Sequence, residues 1–414
     1  VTPARRVVVT GQGAVTPFGM NADSLWAGVS QGRSSIRTIT GFETSGMPVT
    51  FAGEMDDFDP CEVLGRTLPA TGDKPLKMVF VAADEALRQA QLLSSNKCLE
   101  DLLVHTVLGT ALGACFELEY SYGCFHKLGW KGIRPTAVPK SMFNTYASQL
   151  SIEFGLKGMN QTIACACASG AAAIGHAYQL IKHGMADIIL TGGVDSPLCP
   201  SMFGAWTNMR VLARHEEPES ASRPFDRDRG GLVLSEGAGM LVLEAEDHAL
   251  KRGVAPLAEI RGYGATSDSA HLTAPTIEGP VRAMRAAILD AGLRPEDIQY
   301  VNAHGTATQA NDENEARALH DVFGNRGWTL PISSTKSMLG HSMGASSALE
   351  ALICINTLRY QWVPPTLNCE HPEWPEFEFD FVPGQGREHR VQNTLSNSFG
   401  FGGTNCVLVM SRPE

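Results

Sequence analysis

The sequence has no CxxC pair, and its ten cysteines stand at irregular spacings: 61, 98, 115, 124, 165, 167, 199, 354, 369 and 406. The single C-x-C, Cys165 and Cys167, has no second half that would complete a zinc site. No apolar run reaches the roughly 18 residues of a membrane helix, so no membrane contact is expected. Val1 to Thr10 carries two arginines and a short run of valines before a polar residue, well short of a secretory apolar core. Free thiols in a reducing cytoplasm are the expectation that follows, most of them buried as small hydrophobes. Positive charge is also in short supply. Lys and Arg number 33 against 44 Asp and Glu, a net charge of −11, so no nucleic acid partner is expected.

The rest is ordinary globular material: 414 residues, 43% apolar and 19% charged. A chain of this length usually outgrows a single core, so about two core units are expected. Strand-like and helix-like runs alternate. RVVVT at Arg6 to Thr10 reads as a buried strand ending in Gly-x-Gly, and Lys77 to Leu92 as an amphipathic helix. Further strands are expected at Leu102–Leu108, Gln161–Ala164, Asp187–Thr191 and Gly239–Leu243, with an Ala/Gly-rich helix at Ala168–His183 and a surface helix from Asp247 to Arg252. The second half repeats the plan. Strands at Leu257–Arg261, Tyr300–Ala303, Thr394–Ser398 and Cys406–Met410 enclose helices at Pro280–Ala291 and Ala345–Leu358. Such alternation predicts an α/β sheet covered by helices.

Two short matches point to an internal duplication. Gly11-Gln12-Gly13-Ala14 pairs with Gly262-Tyr263-Gly264-Ala265, each after an apolar strand. Cys167-Ala168-Ser169-Gly170-Ala171 pairs with His341-Ser342-Met343-Gly344-Ala345, each entering a small-residue helix. Under a pseudo-twofold, both helix starts would face one central site. Loop-rich stretches at 40–74, 120–139, 196–232 and 364–390 are expected to cap a core and shape a pocket.

Four motifs carry candidate chemistry. Cys167 lies in IACACASGAAAIG, at the start of a helix whose dipole favours a thiolate. A buried inert cysteine is the alternative. His304 follows a buried strand in YVNAHGTAT, where open α/β sheets bind ligands; a loop histidine bonded to backbone is the alternative there. His341 closes SSTKSMLGH, with Lys336 before it and Glu350 inside the next apolar helix. A glutamate there needs a partner, so a Lys336–Glu350 pair is expected unless Glu350 is exposed. NSFGFGGTN at Asn397–Asn405 is a glycine-rich connection between strands, a plain hairpin or a source of backbone N–H donors and a movable aromatic.

Together these motifs resemble the β-ketoacyl synthases of the thiolase fold, the elongating type of condensing enzyme. VVVTGQGAVTPFG, SRPFDRDRGGLVLSEGAGMLVLE, SSTKSMLGH and NSFGFGGTN extend the resemblance over essentially the whole chain. It implies a thiolase-like α/β fold of two duplicated βαβαβ halves in five layers (α-β-α-β-α). Residues 1–254 would carry the nucleophile and the cap insertions, and residues 255–414 both histidines. By the same resemblance, Cys167 takes an acyl group from acyl carrier protein. His304 and His341 hold the malonyl thioester and stabilise the enolate left as CO₂ departs. The N–H groups of Cys167 and Phe401 form an oxyanion hole, with Phe401 as a gate.

The resemblance also assigns Thr306 and Thr308 to the pantetheine arm. Leu112 limits acyl length, Phe399 and Gly402 line the substrate site, and Lys336 and Glu350 form an ion pair beside the second histidine. It implies no cofactor and no metal, because phosphopantetheine arrives on the carrier protein. A homodimer, or a heterodimer with a similar chain, is expected, acting in fatty acid elongation. A ketosynthase subunit of a type II polyketide or polyene pathway, alone or beside a chain-length-factor-like subunit, is the alternative. Acyl carrier proteins are typically acidic, so Lys74, Lys77 and Arg210 are expected to form a basic docking patch. The sequence departs from the family pattern at Asn311-Asp312, where Gly-Asp is usual, at Gly230, where Asp is usual, and around Lys140–Phe143.

Overall fold

The computed structural model describes residues 4–68, 72–324 and 329–413. Ten strands form one mixed sheet: β1 (Val7–Val15), β2 (Val104–Gly109), β3 (Asn160–Ile163), β4 (Ile188–Asp195), β5 (Gly237–Ala245), β6 (Ala258–Ser267), β7 (Tyr300–Asn302), β8 (Ile332–Ser333), β9 (Asn393–Gly400) and β10 (Thr404–Ser411). The helices that position the site are α1 (Lys74–Gln89), α2 (Cys115–Leu128), α3 (Ser169–Lys182), α4 (Pro200–Asn208), α5 (Glu278–Asp290), α6 (Gln309–Phe323) and α7 (Gly344–Tyr360).

The strand order is β3-β2-β4-β5-β1 followed by β6-β10-β9-β7-β8. The second run is the first in mirror order, with each strand five places later in the chain. The directions repeat as well. β2 is parallel to β3 and β4, as β7 is to β8 and β9, and the remaining pairs in each half are antiparallel. The halves join where Val7–Val9 pair with Ala258–Ile260.

The Gly-x-Gly match has a steric cause. A Cβ at Gly11 or Gly13 would lie 2.1 or 2.0 Å from the carbonyl oxygens of Ala86 and Ala82 in α1. A Cβ at Gly262 or Gly264 would lie 2.3 or 2.1 Å from those of Ala287 and Ala283 in α5. Each outer helix therefore rests directly on strand backbone, which only glycine permits. The register slips at the same point in both halves, between Val9 and Gly11 and between Ile260 and Gly262. Gly13→Ala should lower unfolding stability by about 2–4 kcal/mol, read from denaturation midpoints, because backbone must move to admit the methyl. Gly204→Ala, where no atom stands within 4 Å, is the control and should change little.

Helices α3 and α7 lie back to back between the two half-sheets. A Cβ at Gly170 would meet the Gly344 carbonyl at 2.7 Å. Helix α3 touches β2 and β4 on one side and β6 and β10 on the other; α7 touches β4 and β5, then β9 and β10. With α1 and α5 outside, the layers run α-β-α-β-α, the thiolase-like arrangement expected. Small residues at the start of α3 and α7 allow this approach, and the largest apolar core forms around the two helices.

Three of the expected loop stretches are partly helical, a short helix at Pro60–Leu64 lying within 40–74. Helix α2 occupies 115–128, and α4 lies inside 196–232. Tyr120, Tyr122, Phe125 and Leu128 of α2 are exposed. An apolar face turned outward blurs the periodicity that marks a surface helix.

Candidate active site

Cys167 sits on an elbow between β3 and α3. Ala166 takes a left-handed conformation (φ 49°), and Cys165 and Cys167 bridge across it. Ser169 locks the turn: its hydroxyl accepts the Cys165 N–H at 2.9 Å and donates to the Ala166 carbonyl at 2.6 Å. A strained strand–turn–helix elbow is a common way to present a nucleophile. The β9–β10 hairpin packs onto it, where a Cβ at Gly400 would lie 2.9 Å from the Cys165 carbonyl. The N–H groups of Cys167 and Phe401 lie close enough to the Cys167 sulfur to favour its charged form. Phe401 in turn stacks on Trp206, with ring centroids 5.7 Å apart.

From the other half, β7 delivers His304 and the approach to α7 delivers His341. Their ring centroids are 5.5 Å apart and nearly perpendicular, and Phe399 meets the His304 ring edge-on at 5.7 Å. Cys167, His304, His341, Phe399 and Phe401 line one cavity of about 150 Å³. Thr306 and Thr308 line it too, their hydroxyls 2.9 Å apart across Ala307.

Electrostatics decide the protonation states. Burial, reinforced by the Lys336 ammonium, holds both histidines well below the ordinary histidine range, so both rings are neutral. Lys336 Nζ stands 3.4 Å from His304 Nδ1 and donates to the His304 carbonyl at 2.6 Å. An ammonium makes Nδ1 the acceptor and puts the ring proton on Nε2. Ser346 Oγ lies 3.0 Å from His341 Nδ1, accepts the Ser342 N–H at 2.8 Å and stands 3.1 Å from Ser342 Oγ, so its proton can go to that ring nitrogen. His304 thus carries its N–H on the ring edge opposite Lys336, and His341 does the same where Ser346 donates to its Nδ1. Lys336 also pairs with buried Glu350, whose carboxyl burial raises to about 7.

The thiol departs from the sequence expectation. Burial outweighs the favourable helix start and pushes Cys167 up to about 12, against a lowering by Lys336. At neutral pH the free protein therefore carries a thiol. Iodoacetamide alkylation of Cys167 should speed up about tenfold per pH unit from pH 7 to 9, as the thiolate fraction does below its pKa. A plateau near neutrality, followed by mass spectrometry of the Cys167 peptide, would count against this.

Other expected positions fall differently. Leu112 is half-buried in the apolar cluster that includes Cys167, Phe203 and Met343, and it does not line the cavity. Gly402 is at the hairpin tip, its N–H on the Leu272 carbonyl at 2.7 Å, while Gly400 and Gly403 line the cavity. The docking patch needs correction. Lys74 is turned inward onto Glu236, a carboxylate with no side-chain exposure, and Lys77 is paired with Asp57 at 2.8 Å. Arg210 is exposed, beside cavity-lining Val211.

Three buried acids escaped the sequence reading. Glu315 accepts the N–H groups of His304 (2.8 Å) and Gly305 (2.7 Å). Asp312 accepts those of Thr306 (3.0 Å) and Ala307 (3.2 Å). Asp195 accepts from Ala111, Leu112 and Gly344 at 2.7–3.0 Å, tying the Leu112 loop to the start of α7. Glu315 and Asp312 sit in the polar run NDENE, which reads as a solvated helix face; nothing in the sequence marks them as buried.

A nucleophilic cysteine elbow from one half of a thiolase-like duplication, opposed by two neutral imidazoles from the other half, defines a carbon–carbon condensing enzyme of the acyltransferase class. Comparison with known proteins agrees. Residues 4–249 match the β-ketoacyl synthase N-terminal domain and residues 257–370 its C-terminal domain. The chain is 40% identical over 414 residues to 3-oxoacyl-[acyl-carrier-protein] synthase 2 of Coxiella burnetii, covering 99% of both chains. It is 38% identical over 411 residues to the enzyme of the same name from Synechocystis, covering 99% of this chain and 98% of that one. Among solved structures, the ishigamide ketosynthase/chain length factor superposes with a TM-score of 0.91 at 33% identity, over 99% of this chain and 100% of that one. A type II polyketide ketosynthase in complex with its acyl carrier protein and bound to the hexaketide gives 0.90 at 30% identity, with the same coverage. The chain belongs to the β-ketoacyl synthase family.

Proposed function

We propose that the chain elongates an acyl group by decarboxylative Claisen condensation with malonyl-acyl carrier protein, in fatty acid synthesis. One observation carries this reading: a sulfur with two N–H donors trained on it shares a cavity with two neutral imidazoles. The Cys167 thiolate attacks an acyl thioester, the carrier thiol leaves, and its sulfur takes up the proton lost from Cys167. Malonyl thioester then enters. As its C–CO₂ bond breaks, the electron pair passes to an enolate whose oxygen meets the N–H groups of His304 and His341. The enolate carbon attacks the Cys167 thioester, whose carbonyl oxygen is held by the N–H groups of Cys167 and Phe401. The C–S bond breaks and β-ketoacyl carrier protein leaves. Each such donor is worth about 3 kcal/mol in a site of this kind. No cofactor of the chain's own is required, because the imidazoles carry the charge stabilisation.

We take residues 1–254 and 255–414 as the two halves, each supplying part of this site. Thr306 and Thr308 would hold the pantetheine arm, Phe399 would wall the substrate site with Gly402 at its rim, and Leu112 would bound the acyl tail through its cluster with Cys167. The exposed Tyr122, Leu128, Trp130 and Val138 around α2 suit the burial of this face by a second, similar chain. Among the described residues, no helix is long and apolar enough to cross a membrane, which fits a cytoplasmic enzyme.

Incubation with malonyl carrier protein and saturated acyl carriers of graded length tests the assignment: a β-keto product two carbons longer than the primer is expected. Turnover of polyketide primers alone would favour the second reading, for which the polyketide and ishigamide neighbours speak. Arg210→Glu should raise KM for carrier-bound malonyl about tenfold and leave KM for malonyl-pantetheine within twofold, since an exposed charge acts on the carrier and not on the arm.

A further inference from the structure

The backbone from His304 to Ala307 hangs on the two buried carboxylates of Glu315 and Asp312. Between them stands Asn311, the residue that replaces the family's usual glycine. Its Nδ2 lies 3.1 Å from Asp312 Oδ1 and 3.4 Å from Glu315 Oε2. The end of an amide that faces two carboxylates must be its NH₂, so the oxygen points elsewhere. That oxygen makes no hydrogen bond among the described residues, and it is not shut off from solvent. Asn311 lines the cavity on the same wall as Thr306 and Thr308.

We propose that Asn311 is a specificity-determining residue for the incoming thioester, its Oδ1 accepting an amide N–H of the pantetheine arm while its Nδ2 bridges the two carboxylates. This rests on the condensing reading above. Pantetheine carries two amide N–H groups. The Thr306 hydroxyl already has its neighbour Thr308 at 2.9 Å, so an acceptor with no partner is what this wall adds. A glycine at 311 offers neither the acceptor nor the bridge. The side chain therefore links recognition of the arm to the segment that carries His304.

The test compares kcat/KM for malonyl-pantetheine with kcat/KM for a malonyl thioester of propanethiol, which has no amide. In N311G, and in N311L, which keeps the bulk, the ratio of the two should fall about tenfold, the loss expected for one buried hydrogen bond. Any loosening of the His304 segment lowers both substrates and cancels in the ratio. A ratio within twofold of the wild type in both variants overturns the proposal. If the wild type turns over neither thioester, the condensing reading fails by itself. Binding of pantetheine to wild type and N311G, followed by saturation-transfer NMR, then decides for Asn311: about tenfold weaker binding in N311G upholds the contact, and equal binding overturns it.

Discussion

Replacing Cys167 by alanine should abolish transfer of radiolabelled acyl groups from carrier protein to the chain, while C165A and C406A retain it. The expectation rests on geometry, since the sequence offers ten cysteines. Cys165 lies on the strand side of the elbow, and its N–H is held by Ser169. Cys406 is buried within β10, with Tyr263 Oη 3.5 Å from its sulfur. Cys167 alone has the N–H groups of two residues trained on its sulfur and two imidazoles across a shared cavity. Covalent catalysis leaves no residual route once the nucleophile is gone, so labelling should fall by at least about a thousandfold. Persistent labelling of C167A would end the assignment. A cysteine held as a thiol, up to about 12, also predicts that labelling of the wild type rises with pH.

The duplication could be read from the chain because its cause is local. Gly11, Gly13, Gly262 and Gly264 are forced by helices resting on strand backbone, so the motif survives in both halves. Cys167 and His341 could be paired because Gly170 and Gly344 meet where α3 crosses α7. Lys336–Glu350 was legible because a glutamate in an apolar helix demands a cation. What could not be read depends on tertiary burial of residues that look solvated. Asp312 and Glu315 stand one helical turn apart near the start of α6, and only the closure of β7 against that helix puts four backbone N–H groups on them. Lys74 failed for the same reason in reverse. It opens α1, where a lysine normally faces water, but Glu236 beneath it draws the ammonium inward. Neither partner is near in sequence, so no spacing rule could reveal the pair.

His304→Ala and His341→Ala should each lower condensation by roughly a thousandfold while acyl transfer to Cys167 stays within about tenfold of wild type. The two effects separate because the imidazoles serve different charges from the oxyanion donors. Acylation develops its charge on the acyl carbonyl, which the N–H groups of Cys167 and Phe401 can reach. Decarboxylation develops charge on the malonyl thioester oxygen, for which the two ring N–H groups are the donors described in the cavity. A variant that lost both steps equally would show that the histidines activate Cys167 instead. The depressed histidine pKa values add a pH signature. Above the ordinary value of about 6.5, folded and unfolded chains are both neutral at these rings, and no stability is lost. As pH falls below it, the unfolded chain binds protons that the folded chain refuses, so stability drops with acid. His341→Ala should flatten that acid slope as it removes condensation. Lys336→Met should be worse than either histidine variant for folding, by about 3–5 kcal/mol, because it strands Glu350 without a partner in the core. If K336M were as stable as wild type yet inactive, Lys336 would be acting on the substrate itself and not through His304, and the neutral-imidazole account of the site would have to be given up.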